Sequence, residues 1–212
     1  MSIREPQKSN SIKEKAAVTT GVFLLGVFIG LFSKYLDYRQ GDLPGLLQLI
    51  DSTLDLHNFL GELSPWILIA VVISVYSHTP VRASINVFFF FLGFVASYYV
   101  YSYYVAGFFP RGYALIWVAF TVASPFLAYL SWYAKGDGPV ALILSGGILG
   151  VLMSTTLSYG VFYIEIRSLI NLLMLLIGII VLRKSVKETI AMLGIAVVVA
   201  IIIKAVIPYS IG

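Results

Sequence analysis

Residues 85–105 read INVFFFFLGFVASYYVYSYYV, 21 positions without a charged side chain. A helix rises about 1.5 Å per residue, so this stretch covers the roughly 30 Å hydrocarbon core of a bilayer. Buried in a soluble domain it would need apolar partners on every side. The rest of the chain cannot supply that setting, because it is built the same way.

The chain has 212 residues, 59% of them apolar and only 11% charged. Soluble domains devote about a quarter of their residues to charge. Further apolar stretches run over Ala16–Tyr35, Ser64–Tyr76, Tyr113–Tyr133, Val140–Tyr163, Leu169–Leu182 and Thr189–Pro208. The pattern predicts an all-α, polytopic transmembrane helix bundle of seven spans, with six as the fallback because the second and sixth stretches are short. Residues 1–15 read as a basic tail, 16–208 as one transmembrane domain and 209–212 as a short C-terminal tail. Too little chain remains for an appended soluble catalytic domain.

The first stretch is too long for the apolar region of a cleaved signal peptide, about 7–15 residues, and runs on into Ser33-Lys34-Tyr35. It reads as a retained span. With the N-terminus in the cytoplasm, nine basic and four acidic residues fall inside, against five and six outside. That is the distribution expected of a cell-membrane protein with a cytoplasmic N-terminus, and an odd span count puts the C-terminus outside.

One connection is long enough to hold structure of its own. Leu43, Leu46, Leu47, Ile50 and Leu54 recur at the spacing of one helical face, with Asp42 placed to cap and Pro44 in the first turn. An amphipathic helix at about 42–60 on the outer membrane surface is expected. Asp51, Asp55 and Glu62 share its other face as a solvated acidic stripe, and a cation site there is the weaker reading. No internal repeat is legible, which leaves an inverted-repeat transporter unsupported.

Small residues mark helix-packing seams: Gly26 and Gly30 in the first span, and Gly146, Gly150, Ser154 and Ser158 in the fifth. Asn86 and Asn171 read as interhelical hydrogen-bonding amides, and Pro125 beside Ser124 as a kink in the fourth span. The His78-Thr79-Pro80-Val81-Arg82 stretch is a tight inner turn whose arginine reads as a topogenic anchor, with a lipid phosphate as the other reading. Lys204 is the one ionisable group expected within a span, on one face with Ala196 and Ala200, and near enough to the edge to snorkel.

Tyrosines crowd the outer side, eleven against three, and Tyr98, Tyr99, Tyr101, Tyr103 and Tyr104 point around a whole helix. An aromatic belt with core packing accounts for many of them. The functional reading is an outward-facing aromatic-lined pocket, with Tyr98, Tyr101, Trp117, Ser154, Thr155, Tyr159 and Lys204 as candidate ligand-binding residues.

Catalytic chemistry finds no footing. The absence of cysteine removes thiolate nucleophiles, disulfides and thiolate metal sites, and His57 and His78 lie in no metal-ligand spacing. No carboxylate is expected at mid-membrane for a proton relay or an aspartyl protease pair, and Ser145 has no histidine partner. The chain is expected to be no enzyme, with no cofactor, no metal and no nucleic-acid partner.

Leu63-Ser64-Pro65-Trp66, the His78-Thr79-Pro80-Val81-Arg82-Ala83 turn, and Gly93 with Ser97-Tyr98-Tyr99 resemble a family of small multi-pass prokaryotic membrane proteins known only as a domain of unknown function. The resemblance covers roughly the first two thirds of the chain and implies no activity. A looser likeness, in size and hydropathy alone, is to the substrate-capture subunits of vitamin transporters. The functional expectation is a binding or transport component for a small apolar or aromatic solute or a lipid. The alternative is an accessory or regulatory subunit whose small-residue seams dock helices of a membrane partner or a second copy.

Overall fold

The computed structural model describes residues 3–7, 11–159 and 163–206. The expected 209–212 tail, with Tyr209, lies outside them. Among the described residues the protein is all-α apart from one small hairpin. Five helices are long and apolar enough to cross a membrane by length and composition: α1 (Ile12–Tyr38), α5 (Pro80–Tyr104), α6 (Arg111–Tyr133), α7 (Gly138–Thr156) and α9 (Val186–Val206). The second and sixth apolar stretches form shorter helices, α4 (Ser64–Tyr76) and α8 (Leu169–Leu182), of 13 and 14 residues. Leu24, Phe28, Phe126, Ile180 and Ile202 stand exposed on these helices, an apolar surface suited to lipid.

Local chemistry explains the ends. Ser11 and Glu14 form a reciprocal capping box, which starts α1 four residues before the apolar run. Thr79 accepts from the Arg82 N–H and Pro80 fills the first turn of α5. Helix α7 stops at Thr156, and Leu157–Tyr159 (β1) pairs antiparallel with Ile164–Ile166 (β2). Ser158 therefore lies on a strand, and the expected four-residue ridge of the fifth span ends at Ser154.

The 42–60 helix is two helices, α2 (Gly45–Leu54) and α3 (Leu56–Phe59), broken where Asp55 takes a left-handed conformation with φ 54°. Pro44 is the N-cap residue and no side chain caps that helix; Asp42 instead pairs with Arg39, and Gln48 accepts from the Leu43 N–H. Leu46, Leu49, Ile50 and Leu54 form the exposed apolar side, whereas Leu43 is buried. The acidic stripe is overturned by the break. Asp51 is 3% exposed and holds His57 through its backbone N–H and Nδ1, while Asp55 accepts from Asn58.

The chain divides into two compact units, one of Pro6–Leu60 and Tyr76–Tyr129, the other of Met1–Glu5, Gly61–Val75 and Leu130–Gly212. In the first, α1 and α5 pack side by side and run parallel. Contacts climb in step from Lys15 with Arg82, through Thr19 with Asn86, to Val27 with Ser97. The helices touch through glycine: a Cβ on Gly26 would stand 2.2 Å from the Phe90 carbonyl oxygen, and one on Gly30 2.4 Å from that of Phe94. In the second unit α7 and α9 are also parallel. A Cβ on Gly146 would lie 2.6 Å from the Ile195 side chain, and one on Gly150 2.6 Å from that of Val199. Leu149, Leu152, Leu182, Met192 and Ala196 anchor the apolar core of that unit.

Element order therefore repeats where the sequence showed no repeat. In chain order a long helix with a Gly-x3-Gly edge, a short apolar helix and a second long helix parallel to the first occur as α1, α4, α5 and again as α7, α8, α9, although α4 belongs to the same compact unit as α7, α8 and α9. Helix α6 stands alone between the two series.

Candidate functional site

Three polar assemblies stand out among the described residues. The first lies at the C-terminal end of α1. Lys34 sits in the last turns of an apolar helix, yet its side chain is only 3% exposed. Its ammonium bonds Asp37 at 2.5 Å and faces the rings of Phe108, 4.6 Å away, and Tyr98, 5.2 Å away. Tyr98 donates its hydroxyl to the same Asp37 oxygen at 3.3 Å. Around this pair Phe94, Trp117, Tyr98, Tyr99 and Phe109 form one ring cluster, and Tyr38 with Tyr101 a separate pair. Phe94 meets Tyr98 and Trp117 at 6.2 and 5.7 Å, Tyr99 meets Tyr98 and Phe109 at 5.1 and 5.4 Å, and Tyr101 meets Tyr38 at 6.3 Å.

Sequence reasoning counted Lys34 as a flanking basic residue and named Lys204 as the one ionisable group within a span. The structure corrects this, because the buried ammonium is Lys34. The signal was present in Lys34-Tyr35-Leu36-Asp37, an i,i+3 pair of opposite charges closing an apolar helix. What the spacing could not show was that Tyr98 and Phe108 would close over it.

The second assembly joins the N-terminal ends of α4 and α8. Ser64 donates to Asn171 Oδ1 at 2.6 Å, and Asn171 donates to Glu62 at 2.8 Å. The Thr156 hydroxyl bonds the Asn171 carbonyl at 3.1 Å. Asn171 and Asn86 thus make interhelical hydrogen bonds as expected; Asn86 accepts from Thr19 at 2.8 Å and donates to Ser77 at 3.3 Å. A carboxylate close to helix N-termini is favourable against the macrodipole.

The third caps the opposite ends. Arg4 reaches the Trp132 and Val75 carbonyls at 2.6 and 2.8 Å, with its guanidinium 4.1 Å above the Trp132 ring. Lys135 bonds the Val181 carbonyl, and Lys184 that of Gly136. Basic residues counted at first for topology alone are thus the C-terminal caps of α4, α6 and α8, where carbonyls lack helical partners. Burial lowers the affinity of Lys135 for its proton, aided by the nearby charges of Arg4 and Arg183. Lys184 is lowered by burial against the opposing pull of Glu188 and Asp137. Arg82, read as an anchor, is likewise used inside the protein, donating to the Lys15 carbonyl at 2.8 Å and to Thr19 at 2.5 Å.

Compared with protein-family models, curated proteins and solved structures, the chain matches none. The resemblance carried by Leu63–Trp66, the His78–Ala83 turn and Ser97–Tyr99 gains no family or relative from these comparisons. The fold and the chemistry of the site have to carry the functional argument.

The candidate pocket residues fall into two groups. Tyr98, Tyr101 and Trp117 belong to the first unit, Tyr98 and Trp117 in the ring cluster beside Lys34 and Tyr101 against Tyr38. Ser154, Thr155 and Lys204 belong to the second. The Ser154 and Thr155 hydroxyls bond back to the Val151 and Leu152 carbonyls at 2.7 and 2.8 Å, so their donors serve their own helix. Lys204 is half-buried, one turn beyond Ala200 on the face that Met192, Ala196 and Ala200 bury. The side chain of Tyr159 lies outside the described residues. At Gly26, Gly30, Gly146 and Gly150 an added Cβ would meet α5 or α9 of this same chain.

Proposed function

We propose that the protein is a multi-pass component of the cell membrane that binds or transports a small apolar or aromatic solute or a lipid. The observation that carries this reading is the doubled parallel pair. Parallel neighbours in a bilayer require the intervening chain to cross back. Among the described residues the apolar helix between α1 and α5 is α4, and between α7 and α9 it is α8. Short as they are, these two helices count as crossings, their ends completed by Glu62 on one side and by Arg4 and Lys135 on the other. This supports a count of seven crossings. Basic residues at the ends of α4, α6 and α8 support a cytoplasmic side for those ends and for the N-terminus.

The docking alternative loses its anchor, because both glycine seams are filled from within the chain. No reaction is proposed.

A screen of metabolites and lipids for thermal stabilisation of the purified chain tests the reading. A ligand should raise the unfolding midpoint in step with the logarithm of its excess over Kd. Failure of every class to do so refutes solute binding. Cysteines introduced at 13 and at 211 test the topology: outside reagent should label only the second, and equal protection of both refutes seven crossings.

A further inference from the structure

We infer that α2 lies in the headgroup boundary of the bilayer, with Leu46, Leu49, Ile50 and Leu54 immersed among acyl chains and the helix rolled into that attitude by the buried Asp51–His57 pair. The partner of this surface is lipid. The inference goes beyond the solute-binding reading and needs no ligand.

A helix on the surface of a protein in water keeps its polar side out and its apolar side in. Helix α2 does the reverse. Asp51, the one charged residue among its ten, is buried, and Gln48 on the same side is half-buried with its amide oxygen on the Leu43 N–H. Leu46 and Leu49, on the other side, are 74% and 63% exposed, and Ile50 and Leu54 flank them. Ser52 and Thr53 are exposed as well, but both hydroxyls donate to the Leu49 carbonyl, at 3.0 and 2.7 Å. The outward surface therefore offers no charge and no spare side-chain donor, which suits an apolar medium.

The roll of the helix is fixed from within. Asp51 accepts from the backbone N–H and the Nδ1 of His57, at 3.0 and 2.9 Å, and the Gln40 amide donates to His57 Nε2 at 2.7 Å. Gln40 stands two residues past the end of α1, so these bonds tie the α2–α3 pair to the end of that helix. Helix α1 is long and apolar enough to cross a membrane and closes with Tyr35 and Tyr38, residues suited to the boundary. At 10 residues α2 is about 15 Å long, half the hydrocarbon core, and so lies along the boundary and not across it. A second copy of the chain is a poor occupant. The exposed parts of the four apolar side chains amount to about two whole ones, well short of the about 800 Å² that each partner of a stable dimer buries. Asp42 and Asp55 bracket α2 and no basic residue lies between them, so the attraction is to acyl chains and not to anionic headgroups.

The chain has no cysteine, so single bimane labels can be placed at Leu46→Cys, Leu49→Cys and, as the water-facing control, Asp42→Cys, in phosphatidylcholine nanodiscs holding one copy each. Acyl-brominated phosphatidylcholine should quench the labels at 46 and 49 at least about twofold more than the label at 42, in about 1 M salt as in about 0.1 M. In the Leu49→Cys background, His57→Ala should roughly halve that quenching, and His57→Phe, which keeps a ring in place, should do the same if the alanine variant does not fold. Equal quenching at 42 and 49 overturns the assignment to lipid. So does blue-shifted emission at 49 without bromolipid quenching, which marks a protein contact, or quenching lost in high salt. Undiminished quenching in the folded His57 variants overturns the turning role of the Asp51–His57 pair.

Discussion

Gly26→Ala is the sharpest probe of the fold. The added methyl carbon would start 2.2 Å from the Phe90 carbonyl oxygen, with the Phe90 carbonyl carbon and the Phe94 nitrogen at 3.1 Å. Ordinary C···O contact begins at about 3.3 Å, so the two backbones have to part by about 1 Å. No side chain can swing away to relieve this, since every atom met belongs to the backbone of α5. Overpacking of this kind costs about 1–3 kcal/mol. For a chain of this size, about 2 kcal/mol lowers the unfolding midpoint by roughly 4–8 °C. Gly21 supplies the control on the same helix, because a Cβ there meets nothing within 4 Å. Gly21→Ala should hold or raise the midpoint, as alanine favours the helix by up to about 1 kcal/mol. Thermal unfolding of the three proteins in one detergent decides the matter. Gly26→Ala within about 1 °C of wild type, or tracking Gly21→Ala, would show that α1 and α5 do not meet through this seam.

Arg4→Met keeps the stem but leaves the Trp132 and Val75 carbonyls without their donor, and should lower the midpoint by several degrees in the same assay; an unchanged midpoint refutes the capping role. Lys135 tests the charge at that end. Its folded-state pKa lies below the ordinary lysine value, so above that folded pKa the unfolded chain binds more protons than the folded one. Stability contributed at this position therefore rises with pH up to about 10.4, and the neutral amine still donates to Val181. The stability of wild type relative to Lys135→Met should grow as the pH rises towards about 10.4; a flat or falling difference refutes it.

Much of the fold was legible because hydropathy is local. Twenty consecutive apolar residues declare a span whatever they pack against, and Ser11-x-x-Glu14 or Thr79-Pro80 declare a helix start from within four residues. The site was legible in part. The tyrosine-rich stretch led to Tyr98, Tyr101 and Trp117, while Lys34 escaped because its burial is made by Tyr98 and Phe108, more than 60 positions away. The Asp51 stripe failed for a similar reason: one left-handed residue, Asp55, reset the face.

By itself the sequence determined the all-α class, the positions of the helices apolar enough to suit a membrane and the residues able to pack closely. Tertiary structure decided which helices those residues receive, and so made the pairs α1 with α5 and α7 with α9 parallel. It also turned Arg4, Lys135 and Lys184 into caps and buried the Lys34 ammonium. The physical reason is that lipid rewards every apolar face alike. Composition can place a helix in the bilayer, but only steric fit and hydrogen bonding between distant segments can choose its neighbour.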